Sequence, residues 1–276
     1  MGTLGYRFVS LEHLIRNLSS SKLGRVAVIT FDDGFKDLYQ NAYPILERRG
    51  IPFALFLITS TVDSKRLLWI HRLYAAIDSI SPARTEDVLR RHGISRSAGE
   101  DLARYVSRAV HAMDRRGIEE LTEEMTNAAG LSAEKERRLA EELYLTKADL
   151  SEMKRGGLSI EAHGHEHVPL ANASEAETKK EIADSVEYIR GELHGTPSFY
   201  SLAYGSGNRF VKEIIKALGL LGIATTKRRL IRPHEDTFDL PRICVSGDIT
   251  ALYLDLGRVY LKAILRFLPR AFGNER

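Results

Sequence analysis

The sequence has only one cysteine in 276 residues, so it can form no intrachain disulfide and no zinc site built from several thiolates. It also lacks any run of about 18 apolar residues, and we therefore expect no membrane-spanning helix. Residues 1–18 mix polar, charged and apolar side chains, without the pattern of a secretory signal. We expect a chain that is cytoplasmic or peripheral to the membrane.

Net charge is also small, at +3 from 40 basic and 37 acidic residues. Such a balance permits an anionic partner without requiring one. The basic patch at residues 227–229 is short, and we interpret it as a solvated loop, so we predict no nucleic-acid partner. Residues 258–270 are basic and amphipathic; we favour packing of this segment on the domain, with contact to an anionic membrane surface as the alternative.

Apolar segments alternate with helical patterns over much of the chain. A β-branched segment at 26–30 is followed by a helical pattern at 37–49 and a second apolar run at 51–58. This β–α–β alternation indicates a parallel sheet in an α/β domain, with both strands buried. Further strands are predicted at 158–162, 198–203, 222–226 and 243–245. We expect Cys244, in the last of them, to be buried in the core.

The stretch from residue 64 to 145 interrupts this alternation. It is long, charged and helical in pattern, with few β-branched runs. We predict a helical insertion at about 66–145 within a single domain that spans residues 1–276. Trp69 and Tyr74 are its candidates for contact with a substrate, although packing against the α/β core is the favoured role for Trp69.

Two adjacent carboxylates, Asp32 and Asp33, follow the first predicted strand and precede Gly34. Adjacent like charges repel each other, so they contribute no stability by themselves. A bound cation removes that penalty, and one carboxylate can then ligate the metal while its neighbour acts as a base. The alternative is an ordinary turn, because turns are rich in Asp and Gly.

A histidine cluster follows a later strand, with three of the nine histidines between residues 163 and 167. Gly164 and Pro169 argue against a regular helix there, so we place His163 and His167 on a loop. Two imidazoles, one carboxylate and an open position are typical of a catalytic zinc site. A solvated histidine-rich loop is the alternative. Because the carboxyl ends of parallel strands meet at one face, we expect both clusters to converge there.

Four segments, at residues 30–34, 163–167, 199–205 and 239–243, resemble motifs of the polysaccharide deacetylase family. The resemblance covers about residues 8–63 and 140–246 and is to the exopolysaccharide-modifying type. It implies a distorted (β/α) barrel with a helical insertion. It also implies hydrolysis of N-acetyl or O-acetyl groups on a carbohydrate, with a polysaccharide that contains N-acetylglucosamine as the expected substrate.

The same resemblance implies a role for individual residues. Asp32 is the implied general base. The implied ligands of one divalent metal ion, with zinc as the default, are Asp33, His163 and His167. The implied substrate-binding residues are Tyr204, Gly205 and Arg242. Arg242 is also expected to support Asp32.

The chain departs from the family pattern at three points. Gly164 stands where a serine or threonine is usual, and Ala203 replaces a proline. No histidine follows His234, so the histidine that supplies the general acid in the family is not evident. His234, His165 and a metal-bound water stay open as substitutes. Two other functions also stay open: a non-catalytic or weakly active carbohydrate-binding homologue, and a different metal-dependent amidohydrolase.

Overall fold

The computed structural model describes residues 5–20, 24–94, 102–111, 113–205 and 207–245. The strands in these ranges are Arg7–Phe8 (β1), Val26–Ala27 (β2), Ile29–Asp33 (β3), Phe53–Leu57 (β4), Leu158–Ala162 (β5), Phe199–Ser201 (β6) and Gly222–Ala224 (β7). The α-helices are Leu11–Arg16 (α1), Tyr43–Arg48 (α2), Trp69–Ile77 (α3), Pro82–Arg91 (α4), Leu102–His111 (α5), Arg115–Ala129 (α6), Ala133–Leu143 (α7), Lys147–Arg155 (α8), Glu175–Gly191 (α9) and Val211–Ala217 (α10).

Five parallel strands form the main sheet, in the sequential order β3-β4-β5-β6-β7. The strand ends are aligned, because Asp33 pairs with Leu57 and Leu57 pairs with Ala162. Strands β1 and β2 form a short parallel pair just before β3. The sheet curls and helices surround it, which confirms the expected distorted (β/α) barrel.

The main core lies between this sheet and its helices. All five residues of β4 are buried, which confirms the buried strand predicted at 51–58. Helices α2, α8, α9 and α10 pack on the sheet through apolar side chains such as Leu46, Met153, Ile182 and Ile215. The first predicted strand was expected to be buried, and this is wrong. It divides at Val28, and every residue of β3 is only half-buried because β3 forms the edge of the sheet.

Helices α8 and α9 begin at capping boxes. Thr146 accepts a hydrogen bond from the N–H of Asp149, whose side chain accepts from the N–H of Thr146. Ser174 and Glu177 make the same exchange at the start of α9. Each box satisfies two N–H groups that a helix start would otherwise leave unpaired. Helix α9 is therefore anchored at the end that lies close to the histidine loop in sequence.

Helices α3 to α7 occupy the stretch where an insertion was predicted, between β4 and β5. Helices α3 to α6 share an apolar core of their own, which includes Leu73, Val106, Leu121 and Met125. Helix α7 packs in a separate cluster, through Ala140, with Leu67. At the boundary with the barrel, Phe35 and Tyr144 form an antiparallel bridge. The assignment of these helices and the barrel to a single domain stays a prediction.

The last predicted strand, at 243–245, is wrong. Cys244 is exposed, and 60% of the Val245 surface is accessible. The chain pairs with β7 earlier instead: the N–H of Leu240 donates to the carbonyl of Ile223 at 2.9 Å, and the N–H of Thr225 donates to the carbonyl of Leu240 at 2.8 Å. After Leu240 the chain leaves the sheet.

Two expectations concern membranes. Among the described residues, no helix combines the length and the apolar character that crossing a bilayer requires. The basic segment at 258–270 lies outside the described residues, so its packing or membrane contact stays a prediction.

Candidate metal centre and active site

Asp33 is the last residue of β3 and takes an unusual backbone conformation, with φ of 73°. Gly34 follows with φ of 101°, and a Cβ atom there would lie 2.6 Å from Leu57 Cδ1. Only glycine fits this contact and this φ without strain. The chain thus turns sharply at the end of the strand, in close contact with β4.

His163 directly follows β5 and is almost completely buried. Its Nδ1 lies 2.8 Å from the carbonyl oxygen of Ser201, so we assign the ring proton to Nδ1, which donates to this oxygen. The other ring nitrogen, Nε2, lies 3.4 Å from Asp33 Oδ1. The Nε2 atom of His167 lies 3.7 Å from the same oxygen. The structure therefore brings Asp33, His163 and His167 together, and one ligand atom from each lies within 4.8 Å of the others.

These donors fit a divalent cation. Burial alone would raise the pKa of Asp33, but a hydrogen bond from His163 when that ring is protonated, and the positive charges of protonated His163, His167 and His71, lower that pKa overall. Asp33 is thus ionised near neutral pH, as a metal ligand must be. The backbone contact of His163 orients its free nitrogen, which is the usual arrangement around a metal-binding histidine.

Asp32 does not join this group of ligand atoms. Its two carboxylate oxygens accept hydrogen bonds from Arg242 Nη1 at 2.6 Å and Nη2 at 2.9 Å. Arg242 also donates to Ser201 Oγ at 2.8 Å, and its guanidinium lies over the Phe56 ring. A bidentate pair of this kind fixes the carboxylate in one orientation. The geometry supports the expected link between Arg242 and Asp32, whereas direct contact of Arg242 with a substrate stays a prediction.

Tyr204 lies within the short helical turn Ala203–Gly205. Its ring centroid is 4.6 Å from that of His167 and 6.4 Å from that of Trp69. Burial raises the pKa of Tyr204, so its hydroxyl stays protonated. Gly205 has φ of 69°, and a Cβ atom there would lie 2.3 Å from Thr226 Oγ1, so no side chain fits.

Backbone strain is concentrated in this region. Six described residues other than glycine have positive φ, and three of them are Asp33, His167 and Tyr204. Each such conformation costs about 1–3 kcal/mol and persists only where its surroundings enforce it. Strain at three converging side chains is a mark of a functional site rather than of a solvated loop.

The sequence analysis missed His71, which lies on α3 of the insertion. Its Nδ1 is 2.6 Å from the Tyr144 hydroxyl, and the ring, when protonated, lowers the pKa of Asp33. Burial lowers the pKa of His71 itself and so favours the neutral ring, although the charge of Asp33 opposes this shift. No local motif marks His71. The apolar run at 67–73 does indicate that this helix packs on the barrel, and that was the available signal.

Neither histidine proposed as a substitute acid belongs to the ligand group. His165 Nδ1 lies 2.9 Å from Thr59 Oγ1, and the ring lies against Tyr188. His234 is exposed, in a loop, with φ of 60°. The general acid therefore stays unassigned.

The family model for polysaccharide deacetylase matches residues 20–223 of this chain. The chain belongs to the polysaccharide deacetylase family. This family is generally metal-dependent, which agrees with the group formed by Asp33, His163 and His167. Membership also removes the alternative of an unrelated amidohydrolase.

Comparisons with individual proteins give the same family. A poly-beta-1,6-N-acetyl-D-glucosamine N-deacetylase of Staphylococcus aureus strain MSSA476 is 21% identical over 252 residues, which are 88% of this chain and 62% of that protein. The chain spans 52% to 62% of the length of curated relatives that it matches. The structure of the Streptococcus pyogenes deacetylase PplD in complex with acetate has a TM-score of 0.60 at 20% identity and covers 94% of this chain and 81% of its own.

IcaB from Ammonifex degensii has a TM-score of 0.59 at 17% identity, over 92% of this chain and 83% of its own. These likenesses confirm the fold of this polysaccharide deacetylase family member.

A cleft of about 430 Å³ lies between the histidine loop and the insertion. Trp69 lines it, and its Nε1 donates to the carbonyl of Glu166 at 3.2 Å. Arg115 from α6 reaches the Glu166 carboxylate at 2.5 Å. Glu166 immediately precedes His167, so the insertion contacts the histidine loop directly. Trp69 both packs on the barrel and lines the cleft.

Proposed function

We propose that this chain is a metal-dependent hydrolase that removes acetyl groups from a carbohydrate, and that its substrate is a polysaccharide containing N-acetylglucosamine. The observation that carries the proposal is the pairing of Asp32 with Arg242 beside the group of Asp33, His163 and His167. Membership of the family and the N-deacetylase named among the relatives support the substrate class.

In this proposal the metal ligands are Asp33, His163 and His167, and the metal is zinc. One carboxylate and two imidazoles match the donor set of catalytic zinc sites, with a position left for water or substrate. A divalent cation held there would supply a Lewis acid for the acetyl carbonyl and lower the pKa of the attacking water.

Asp32 is the proposed general base. Each of its oxygens accepts one hydrogen bond from Arg242, and a carboxylate oxygen has a second lone pair with which to accept a proton. Arg242 keeps the carboxylate aligned and balances its charge. General-base catalysis of this kind commonly contributes about 10²- to 10⁴-fold in rate.

Tyr204 and Gly205 are proposed to bind the substrate. A backbone N–H near Tyr204 is our candidate donor to the developing oxyanion. The Tyr204 ring covers His167 and limits access of bulk water. Trp69, whose ring centroid lies 6.4 Å from that of Tyr204, lines the cleft and offers an aromatic face on which a sugar can stack.

The unassigned general acid favours one competing function, a homologue that binds carbohydrate with weak or no turnover. To decide, metal-free protein is reconstituted with Zn²⁺, Co²⁺, Mn²⁺ or Mg²⁺. Release of acetate and gain of free amine are then measured by mass spectrometry on β-1,4- and β-1,6-linked N-acetylglucosamine oligomers and an O-acetylated glycan. We expect metal-dependent release of acetate from an N-acetylated oligomer and none from Asp32→Asn. Binding of oligomers without release under any metal would favour the non-catalytic function.

A further inference from the structure

Glu181, on α9, is a buried carboxylate for which the proposed reaction has no use; only 6% of its surface is exposed. Its Oε1 accepts hydrogen bonds from the N–H of Glu166 at 2.8 Å and of Val168 at 3.4 Å. The backbone of His165 also hydrogen-bonds to this carboxylate. Glu181 therefore accepts hydrogen bonds from backbone groups on both sides of His167 in the sequence.

The loop from 164 to 168 needs such an acceptor. His167 has φ of 57° and Gly164 has φ of 88°, so the chain here follows neither a helix nor a strand. Backbone N–H groups without a main-chain partner require another acceptor when they are buried. On the other side of the loop, the N–H groups of Thr59 and Ser60 donate to the carbonyls of Gly164 and His165 at 3.2 and 3.0 Å. The loop is thus held by hydrogen bonds on two sides: those on one side go to Glu181, and those on the other come from Thr59 and Ser60.

Gly164 explains why a carboxylate can reach this place. A Cβ atom at position 164 would lie 2.5 Å from Glu181 Oε1. Motifs of this type usually carry serine or threonine at the same position, and such a side chain would collide with the oxygen. The position of the Glu181 carboxylate therefore depends on glycine at 164, because the Glu181 oxygen occupies the space that a side chain there would fill.

We infer that Glu181 is a positioning residue, which holds the histidine loop so that Nε2 of His167 faces Asp33. It acts through His167 and does not itself touch the metal or the substrate. The inference rests on the proposed function only in assigning a metal to Asp33, His163 and His167. It connects the departure at Gly164 with a compensating residue on a distant helix.

The test measures metal affinity without substrate, by competition of the purified full chain with a chromogenic chelator for Zn²⁺ at fixed pH. Loss of an outer contact to a metal ligand typically costs about 10- to 100-fold in affinity, and we expect Glu181→Ala to lie in this range. Glu181→Gln keeps one oxygen acceptor with the same shape, so its loss should be smaller. Hydrogen exchange of the metal-free protein should show faster exchange at 165–168 in Glu181→Ala.

Glu161 provides the matched control. It is also a buried carboxylate, and its Oε2 accepts the N–H groups of Ser198 and Phe199 at 2.7 and 2.8 Å at the start of β6. Glu161→Ala should lower the melting temperature but weaken Zn²⁺ binding less than Glu181→Ala does, since its hydrogen bonds go to the start of β6 and not to the histidine loop.

Wild-type Zn²⁺ affinity and wild-type exchange in Glu181→Ala would overturn the inference and leave the deacetylase proposal intact. If that variant does not fold, Glu181→Gln decides by the same two measurements, and unchanged values in it likewise overturn the inference. A wild-type chain that binds Zn²⁺ but releases no acetate would overturn the deacetylase proposal, while weaker binding in Glu181→Ala would still support the role of Glu181.

Discussion

The carboxyl ends of the strands and the helical insertion both contact the histidine loop but are built in different ways. At the carboxyl ends of the strands, polar and charged side chains are oriented by short polar contacts, as in His163 with Ser201 and Asp32 with Arg242. The insertion is held by its own apolar core, and it presents Trp69 to the cleft. We therefore propose that the strand ends carry the chemistry and that the insertion shapes access to it.

Ion pairs show the same contrast. Those within the insertion are largely exposed pairs one helical turn apart, such as Arg115 with Glu119, and exposed pairs of this kind contribute about 0.2–1 kcal/mol. At the carboxyl ends of the strands, by contrast, the His163 side chain that faces Asp33 is buried, with 4% of it exposed. The stability of the insertion thus rests on apolar packing, whereas the structure at the carboxyl ends of the strands is held by polar contacts of the groups proposed to act in catalysis. Substitutions in the two regions should therefore have separable effects.

The largest effect is expected from loss of a metal ligand. His163→Ala and His167→Ala should each lose stoichiometric metal after dialysis, and acetate release should fall to background, because two of three protein ligands cannot hold a catalytic cation. His165→Ala is the matched control from the same loop, since His165 bonds to Thr59, and it should keep its metal. Metal content is measured by mass spectrometry. Retained stoichiometric metal in either of the first two variants would refute the assignment.

Asp32→Asn should lower the rate of acetate release by about 10²- to 10⁴-fold, because an amide cannot accept the proton. Metal content and the melting temperature should change little, since the asparagine keeps one oxygen for Arg242. The measurements are initial rates and bound metal on the same preparation. Loss of the metal together with activity would move Asp32 into the ligand set.

Core truncations on the two sides test the division of labour directly. Leu57, in β4, and Leu121, in α6, are both fully buried, and each change to alanine should cost about 2–5 kcal/mol in the free energy of unfolding. Leu57 pairs with Asp33, so Leu57→Ala should also weaken Zn²⁺ binding, whereas Leu121→Ala should not. Urea unfolding and chelator competition provide the readouts. Equal loss of Zn²⁺ affinity in both variants would show that the two regions are not separable.

Stability should also depend on pH through Glu161. Burial raises its pKa to about 7, although hydrogen bonds from Ser198 and Phe199 partly oppose the shift. A carboxyl whose pKa is raised on folding binds more protons in the native state, so the contribution of Glu161 to stability is fully present below about pH 4.5 and is lost as pH rises to about 7.

Relative to Glu161→Gln, the wild type should lose at most about 3 kcal/mol over this interval. Urea unfolding at pH 5 and pH 8 measures the difference. A difference that does not change with pH would show that the native pKa is not raised.

The smallest effect is expected at the cleft wall. Trp69→Ala should raise KM by about 3- to 10-fold with a smaller change in kcat, because aromatic contacts contribute about 0.5–1.5 kcal/mol beyond the area they bury. Tyr74→Ala is the comparison on the same helix, since Tyr74 packs in the same apolar cluster. Melting temperature and KM are measured for both. Lost stability with unchanged kinetics would assign Trp69 to anchoring alone.

Local patterns were enough to predict that one carboxylate of the Asp32–Asp33 pair and two histidines converge, whereas the choice of Asp33 as the ligand came from the resemblance to the family. Asp33 and the two histidines follow strands whose carboxyl ends meet, so a strand prediction and a loop breaker such as Gly164 suffice to bring them together. His71 and Glu181 could not be found in this way, because each lies within an ordinary helical pattern and acquires its role only through packing. Cys244 was wrongly predicted to be buried, because a short apolar run does not show whether a neighbouring strand is available to pair with it.

The position of the insertion also bears on how the chain folds. Strands β4 and β5 are hydrogen-bonded neighbours, with Phe53 opposite Leu158, yet about a hundred residues separate them along the chain. Closing a flexible loop of this length carries an entropic cost that must be met before the strand contacts form, and such contacts slow folding. Helices α3 to α6 share a core whose contacts all lie within the insertion, so these helices can form before β4 and β5 pair and can shorten the distance between the two strands. The insertion that lines the cleft is therefore also expected to speed the pairing of β4 with β5 during folding.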